Sequence, residues 1–186
     1  MAVEITEDIL RLAVVRLAEL TKEKQFVLVG RGTLAVTAPP GQRSMARSED
    51  IDLWPRFNEK AALDESRDLF GEGTDFHKQH GFYIERLGQW TVMSQPPGWE
   101  ERATEIKFGN ISLLVLGLLD LAYNKLEANR VKDRDFLRQA FKEGLFTPDD
   151  LRAFIRQHPS PLEYAAQVVL SNLASIENSP DQEAAP

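Results

Sequence analysis

Residues 25–53 read QFVLVGRGTLAVTAPPGQRSMARSEDIDL. The run Phe26-Val27-Leu28-Val29 is continuously apolar, the pattern of a strand buried on both faces. It enters a turn, Gly30-Arg31-Gly32-Thr33, after which Leu34-Ala35-Val36 opens a short helix. A second strand carries Asp50 and Asp52. Successive strand side chains point to opposite faces, so these two carboxylates share one face while Ile51 and Leu53 share the other. Neighbouring carboxylates repel, and a raised pKa or a bound divalent ion relieves the repulsion. Mg²⁺ (or Mn²⁺ in its place) is the expected ion, a hard cation held by one or two carboxylates with substrate phosphates completing its shell.

Further along, a helix carries Asp120-Leu121 and then Lys125-Leu126-x-Ala128-x-Arg130-x-Lys132-Asp133. Strand, glycine turn, short helix, Asp-x-Asp strand and this later block, in that order, resemble the nucleotidyltransferase superfamily, the polymerase-beta-type fold. More narrowly, the chain is similar to bacterial nucleotidyltransferase-like proteins related to abortive-infection and toxin–antitoxin systems. The Arg47-Ser48-Glu49-Asp50-Ile51-Asp52 segment and the Lys125–Asp133 block carry that similarity, which spans roughly residues 24 to 145.

The resemblance implies an α+β (α/β) fold, a small mixed sheet flanked by helices with a helical C-terminal portion. It implies a nucleoside triphosphate substrate bound at Gly30, Gly32 and Thr33, a metal held by Asp50 and Asp52, and an acceptor that is an RNA such as tRNA, a protein such as an antitoxin, or a small molecule. Lys125 is the expected triphosphate contact, and Asp133 is expected to complete the active site. Many members carry a third carboxylate on a strand beside Asp-x-Asp, and Glu105 is the candidate here, subject to register.

Arg31 departs from the family turn, which has Gly or Ser in that place. It either pairs with a phosphate or marks a degenerate site. Arg43 and Arg47 precede the acidic strand, either as ion-pair partners of Asp50 and Asp52 or as phosphate contacts. Two functions are therefore carried forward: a metal-dependent nucleotidyltransferase, and a catalytically degenerate nucleotide-binding or protein-partner module of the same fold.

In the rest of the chain, residues 6–22 predict a helix capped by Thr6, with Ile9, Leu10, Ala13, Val14, Leu17 and Leu20 as its apolar stripe. A helix is predicted from Asn58 to Phe70 with Ala61, Ala62, Leu63 and Leu69 inward, and a short helical or irregular piece over Thr74–His80. Phe82-Tyr83-Ile84 and Trp90-Thr91-Val92-Met93 read as strands. Gly109-Asn110 joins the two strands of a hairpin. Thr147-Pro148 opens a helix, Pro161 starts the last one, which runs to about Glu177, and a polar tail follows from Asn178.

The 186 residues suffice for one domain with a sizeable core, read as 1–177 with its helical part from about 118. A net charge of −7 argues against sequence-independent nucleic-acid binding, which needs a basic surface. With no cysteine, disulfides and thiolate metal sites are excluded. Three scattered histidines make zinc an unsuitable ion; His77 and His80, three apart, lack a third ligand. No run of about 18 apolar residues and no basic-then-apolar leader is present, so a cytoplasmic location and no membrane contact are expected.

Overall fold

A computed structural model describes residues 2–58, 60 and 62–178. The protein is an α+β fold built on a mixed five-stranded sheet, with a small two-stranded sheet beside it. The strands are β1 (Val3–Glu4), β2 (Gln25–Leu28), β3 (Arg47–Ser48), β4 (Asp50–Pro55), β5 (Tyr83–Arg86), β6 (Thr104–Phe108) and β7 (Ile111–Val115). The helices are α1 (Glu7–Thr21), α2 (Leu34–Thr37), α3 (Leu63–Phe70), α4 (Asp75–His80), α5 (Trp99–Arg102), α6 (Leu118–Ala128), α7 (Val131–Lys142), α8 (Pro148–Gln157) and α9 (Glu163–Asn178). None is long and apolar enough to cross a membrane.

The described residues form two compact units. The first runs up to Met93 and includes Trp99–Leu118; the second is Ser94–Gly98 with the residues from Leu119 on.

The large sheet, in the first unit, has the order β5-β4-β2-β7-β6. β2 runs antiparallel to β4 and parallel to β7, and β4 runs parallel to β5. Registers align Phe26 with Leu113, Leu28 with Leu53 and with Val115, and Ile51 with Ile84. Partners in register share a face, so these residues make one apolar face, where α1 packs on β4 and β7. α1 starts at Thr6, whose hydroxyl accepts from the Ile9 N–H, and buries Leu10, Ala13, Val14 and Leu17 as the stripe predicts. The opposite face carries Asp50, Asp52, Tyr83 and Glu85 at one side. Towards its middle lie Val27, Trp54 and Leu114, in a cluster with Val29, Val92 and Leu116.

Central β2 is buried on both faces from Phe26 on, as its composition requires. The Gly30–Thr33 turn continues through a 3₁₀ turn, Arg31–Thr33, into α2. The Gly109-Asn110 hairpin joins β6 and β7.

Two local readings are corrected. The helix predicted from Asn58 begins at Leu63, and Leu63 and Leu69 are exposed; the buried residue of α3 is Ser66, while Ala61 lies outside the described residues. Asn58 is used differently: its amide donates to the Thr21 carbonyl and its own carbonyl accepts from Arg86, which ties the segment to α1 and β5. The strand predicted at Trp90–Met93 is a 3₁₀ turn over Gln89–Val92. There the Thr91 hydroxyl and N–H both donate to the Gly88 carbonyl, so a local turn outcompetes β propensity.

The second unit is helical, as expected of the C-terminal portion. Thr147 caps α8 by accepting from the Asp150 N–H, with Pro148 at the first position. Arg152 of α8 pairs with Glu177 of α9 at 2.6 Å. Asn172 of α9 donates to the Leu126 carbonyl of α6. The last helix, α9, begins at Glu163 rather than at Pro161 and includes Asn178, the first residue of the predicted polar tail; the rest of that tail lies outside the described residues.

Candidate metal centre

Asp50 and Asp52 project from one face of β4, and the parallel strand β5 aligns Tyr83 with Asp50 and Glu85 with Asp52. One carboxylate oxygen from each of Asp50, Asp52 and Glu85 lies within 4.8 Å of the others. Asp50 and Asp52 are half-buried and Glu85 is exposed. Each like-charge pair at this separation costs on the order of 1 kcal/mol in water and several times that at a partly buried protein surface. A hard cation among the three oxygens removes that cost, and an all-carboxylate donor set suits Mg²⁺ or Mn²⁺ rather than a soft metal.

The turn that follows β2, the antiparallel partner of β4, leaves room for one of these acids. Gly30 has φ 69° and ψ −169°, a conformation open essentially to glycine. A Cβ built there would stand 1.8 Å from Oδ2 of Asp52. The Val29 N–H donates to the Asp52 carbonyl at 3.1 Å, joining turn and strand. Asp50 is held from the other side, since the Ser48 hydroxyl donates to its Oδ1.

Tyr83 registers the charge of this region. Its phenol is pushed up to about 12, first by burial and then by the charges of Asp50, Glu85, Glu72 and Asp52. It therefore stays protonated, a neutral neighbour of the carboxylates, with the His77 ring edge-on at 5.2 Å. Replacing Asp50 with asparagine is expected to lower the Tyr83 titration midpoint, read as tyrosinate absorbance with a Tyr83→Phe chain as the blank. An unmoved midpoint would sever Tyr83 from Asp50.

The remaining predicted residues are placed as follows. Gly32 is buried, its absent side chain directed at Leu28 and Ile5. Thr33 is fully buried and its hydroxyl donates to the Gly30 carbonyl at 2.9 Å, so it closes the turn instead of facing outward. Arg31 is half-buried at the start of the 3₁₀ turn. Arg47 is exposed, and its guanidinium donates to the Ala2 carbonyl at 3.2 Å. Glu105 shares the carboxylate face but stands on β6, with β7 and β2 between it and β4. There it accepts from Ser112 at 2.6 Å and pairs with Lys107, and the Ser112 hydrogen bond holds its carboxyl below the usual range. The third acid of the cluster is Glu85. Its signal was the alternation Tyr83-Ile84-Glu85: one more residue of the predicted strand puts Glu85 on Tyr83's face.

The Gly73 N–H donates to His77 Nδ1, and His80 stacks on Phe76.

Lys125 and Asp133 belong to the second unit and pair with each other at 2.9 Å. Asp133 has no exposure and also accepts from Arg130 Nε at 2.6 Å and from the Arg130 N–H at 3.3 Å, capping α7. Burial raises its carboxyl, and the bonds and charges of Arg130 and Lys125 outweigh burial and hold it below the usual range.

No family model, curated protein or solved structure matches the chain.

Proposed function

We propose that the protein binds a divalent cation, Mg²⁺ or Mn²⁺, through Asp50, Asp52 and Glu85 and transfers a nucleotidyl group from a nucleoside triphosphate to an acceptor hydroxyl or phosphate. The observation that carries this reading is the approach of three carboxylate oxygens to within 4.8 Å beside a glycine turn that makes space for one of them. Held by these three acids, the cation would supply positive charge against the transferring and leaving groups. The chain's own part is to hold three oxygens in place, with Asp50 fixed by Ser48 and Asp52 seated against Gly30. Asp52 is also the candidate for taking the acceptor's proton. The toxin–antitoxin or defence setting and a tRNA or protein acceptor rest on the sequence resemblance.

A second reading, cation and nucleotide binding without turnover, is favoured by Thr33 and by the Lys125–Asp133 pair. Thr33 spends its hydroxyl on the Gly30 carbonyl, and Lys125 is engaged with a buried acid.

Thermal melting with Mg²⁺ or Mn²⁺ and each nucleoside triphosphate, followed by a pyrophosphate-release assay with RNA and protein acceptors, separates the readings. Ligand at 100 Kd is expected to stabilise the wild type by about 2.7 kcal/mol and the Asp50→Ala chain not at all. Stabilisation without pyrophosphate release selects the non-catalytic module. No response to any cation–nucleotide pair rejects both.

A further inference from the structure

We propose that Ser48 is a positioning residue for the cation site, an inference that rests on reading Asp50, Asp52 and Glu85 as a metal centre. The Ser48 hydroxyl donates to Oδ1 of Asp50. Three crowded carboxylates without a cation push one another apart, and an unrestrained Asp50 relieves the strain by changing rotamer. A hydroxyl two residues earlier, at the end of β3, holds it in place and leaves the second oxygen for the ion. The cation then meets an oriented ligand and less side-chain freedom is lost on binding.

Ser48 is itself placed by residues distant in sequence. β1 pairs with β3, aligning Val3 with Ser48 and Glu4 with Arg47. The Ile5 N–H donates to the Ala46 carbonyl at 2.8 Å, and the Ile5 side chain is buried. Arg47 reaches back to the Ala2 carbonyl. Residues 2–5 thus fix the backbone that presents the Ser48 hydroxyl.

The same short segment reaches the supports of the other two acids. Ile5 Cγ2 lies 3.9 Å from the position of a Cβ on Gly32, in the turn behind Asp52. Val3 Cγ1 lies 2.9 Å from that of a Cβ on Gly81, which leads into the strand bearing Glu85. Tyr83, next along that strand, donates from its N–H to the Glu49 carbonyl at 2.7 Å, between Ser48 and Asp50. Residues 2–5 therefore lie against β3, the glycine turn and the lead into β5, and Ser48 of β3 is where this support meets a ligand directly.

The test is Mn²⁺ binding by the full chain, followed by calorimetry and by the loss of the free-ion electron paramagnetic resonance signal. Ser48→Ala is expected to weaken Mn²⁺ by tenfold or more, in the range of about 10–100-fold that outer ligand supports contribute. Ser48→Thr keeps the hydroxyl and is expected to bind like the wild type. The cation-free melting temperature of Ser48→Ala should stay within about 4 °C of the wild type, a shift too small to explain lost binding by unfolding. If Ser48→Ala does not fold, the comparison of Ser48→Val with its isostere Ser48→Thr replaces it. Ser48→Ala binding as tightly as the wild type while Asp50→Ala does not bind overturns the role of Ser48 and leaves the metal centre standing. Equal weakening in Ser48→Ala and Ser48→Thr also overturns it, since the hydroxyl is then irrelevant. A wild type that takes up no Mn²⁺ overturns the metal centre first and this inference with it.

Discussion

Replacing Asp133 with alanine is expected to cost about 3 kcal/mol of stability and to lower Tm by about 6–12 °C. The side chain is fully buried and carries a charge that is answered twice, by Lys125 at 2.9 Å and by Arg130 at 2.6 Å. Arg130 is well exposed and returns to water when its partner goes. Lys125 has 14% exposure, lies 6.0 Å from the centre of the Phe136 ring, and has no such escape. The α7 cap is lost as well, since the Arg130 N–H donates to the same carboxylate. Replacing Lys125 with methionine in the Asp133→Ala chain removes the stranded ammonium and is expected to recover part of the loss. Asp133 also sets a pH dependence. Its folded pKa is held below the ordinary value of 3.8, so the unfolded chain binds the proton more readily. The contribution is complete above about pH 4 and disappears as the pH falls through the folded value. Urea midpoints of wild type and Asp133→Ala should therefore lie far apart at pH 7 and converge at lower pH. Equal midpoints at pH 7 would show that the pair does not clamp the unit, and would free Lys125 for the triphosphate role that the resemblance suggests.

Lys125 and Asp133 illustrate what a sequence conveys and what it withholds. Their spacing, with Arg130 between, was legible as a charged block, and both a catalytic role and a solvated face were consistent with it. A run of polar letters does not reveal that one of them is fully buried; that follows from how α6 and α7 meet within their unit. The first unit was easier to read where a pattern has one physical solution. Four apolar residues before a glycine make a central strand, and a two-residue period puts Asp50 and Asp52 on one face whatever the rest of the chain does. The third carboxylate was harder, because it depends on which strand lies next to β4. Glu105 was the natural candidate on a clear hairpin, but β7 and β2 stand between that hairpin's outer strand and β4. Glu85 lies on a short, weakly marked strand, and only the parallel pairing of β4 with β5 sets it opposite Asp52. Trp90-Thr91-Val92-Met93 failed for a local reason: a threonine hydroxyl bonded three residues back turned a strand-like composition into a 3₁₀ turn.

Gly30 joins backbone geometry to the carboxylates, and its replacement by alanine is the second large effect expected. With φ 69° and ψ −169° the residue occupies a region that costs any other amino acid about 1–3 kcal/mol. The added methyl would also stand 1.8 Å from Oδ2 of Asp52, closer than any non-bonded contact allows. Either Asp52 rotates away from Asp50 and Glu85, or the turn shifts and no longer seats the carboxylate. Mn²⁺ affinity is therefore expected to fall by about tenfold or more in Gly30→Ala, together with Tm. Gly41→Ala is the control, since its φ is negative and nothing stands within 4 Å of its added Cβ. A double-mutant cycle divides the two causes. In an Asp52→Ala background the obstructing carboxylate is gone, so Gly30→Ala should retain its backbone cost and lose its steric cost. The coupling should reach at least about 1 kcal/mol, within the range of about 0.5–3 kcal/mol found for residues in contact. Strictly additive effects would mean that Asp52 does not rest against the turn. The glycine would then matter only to the path of the chain, and the seat that holds one of the three acids in the proposed metal centre would be lost.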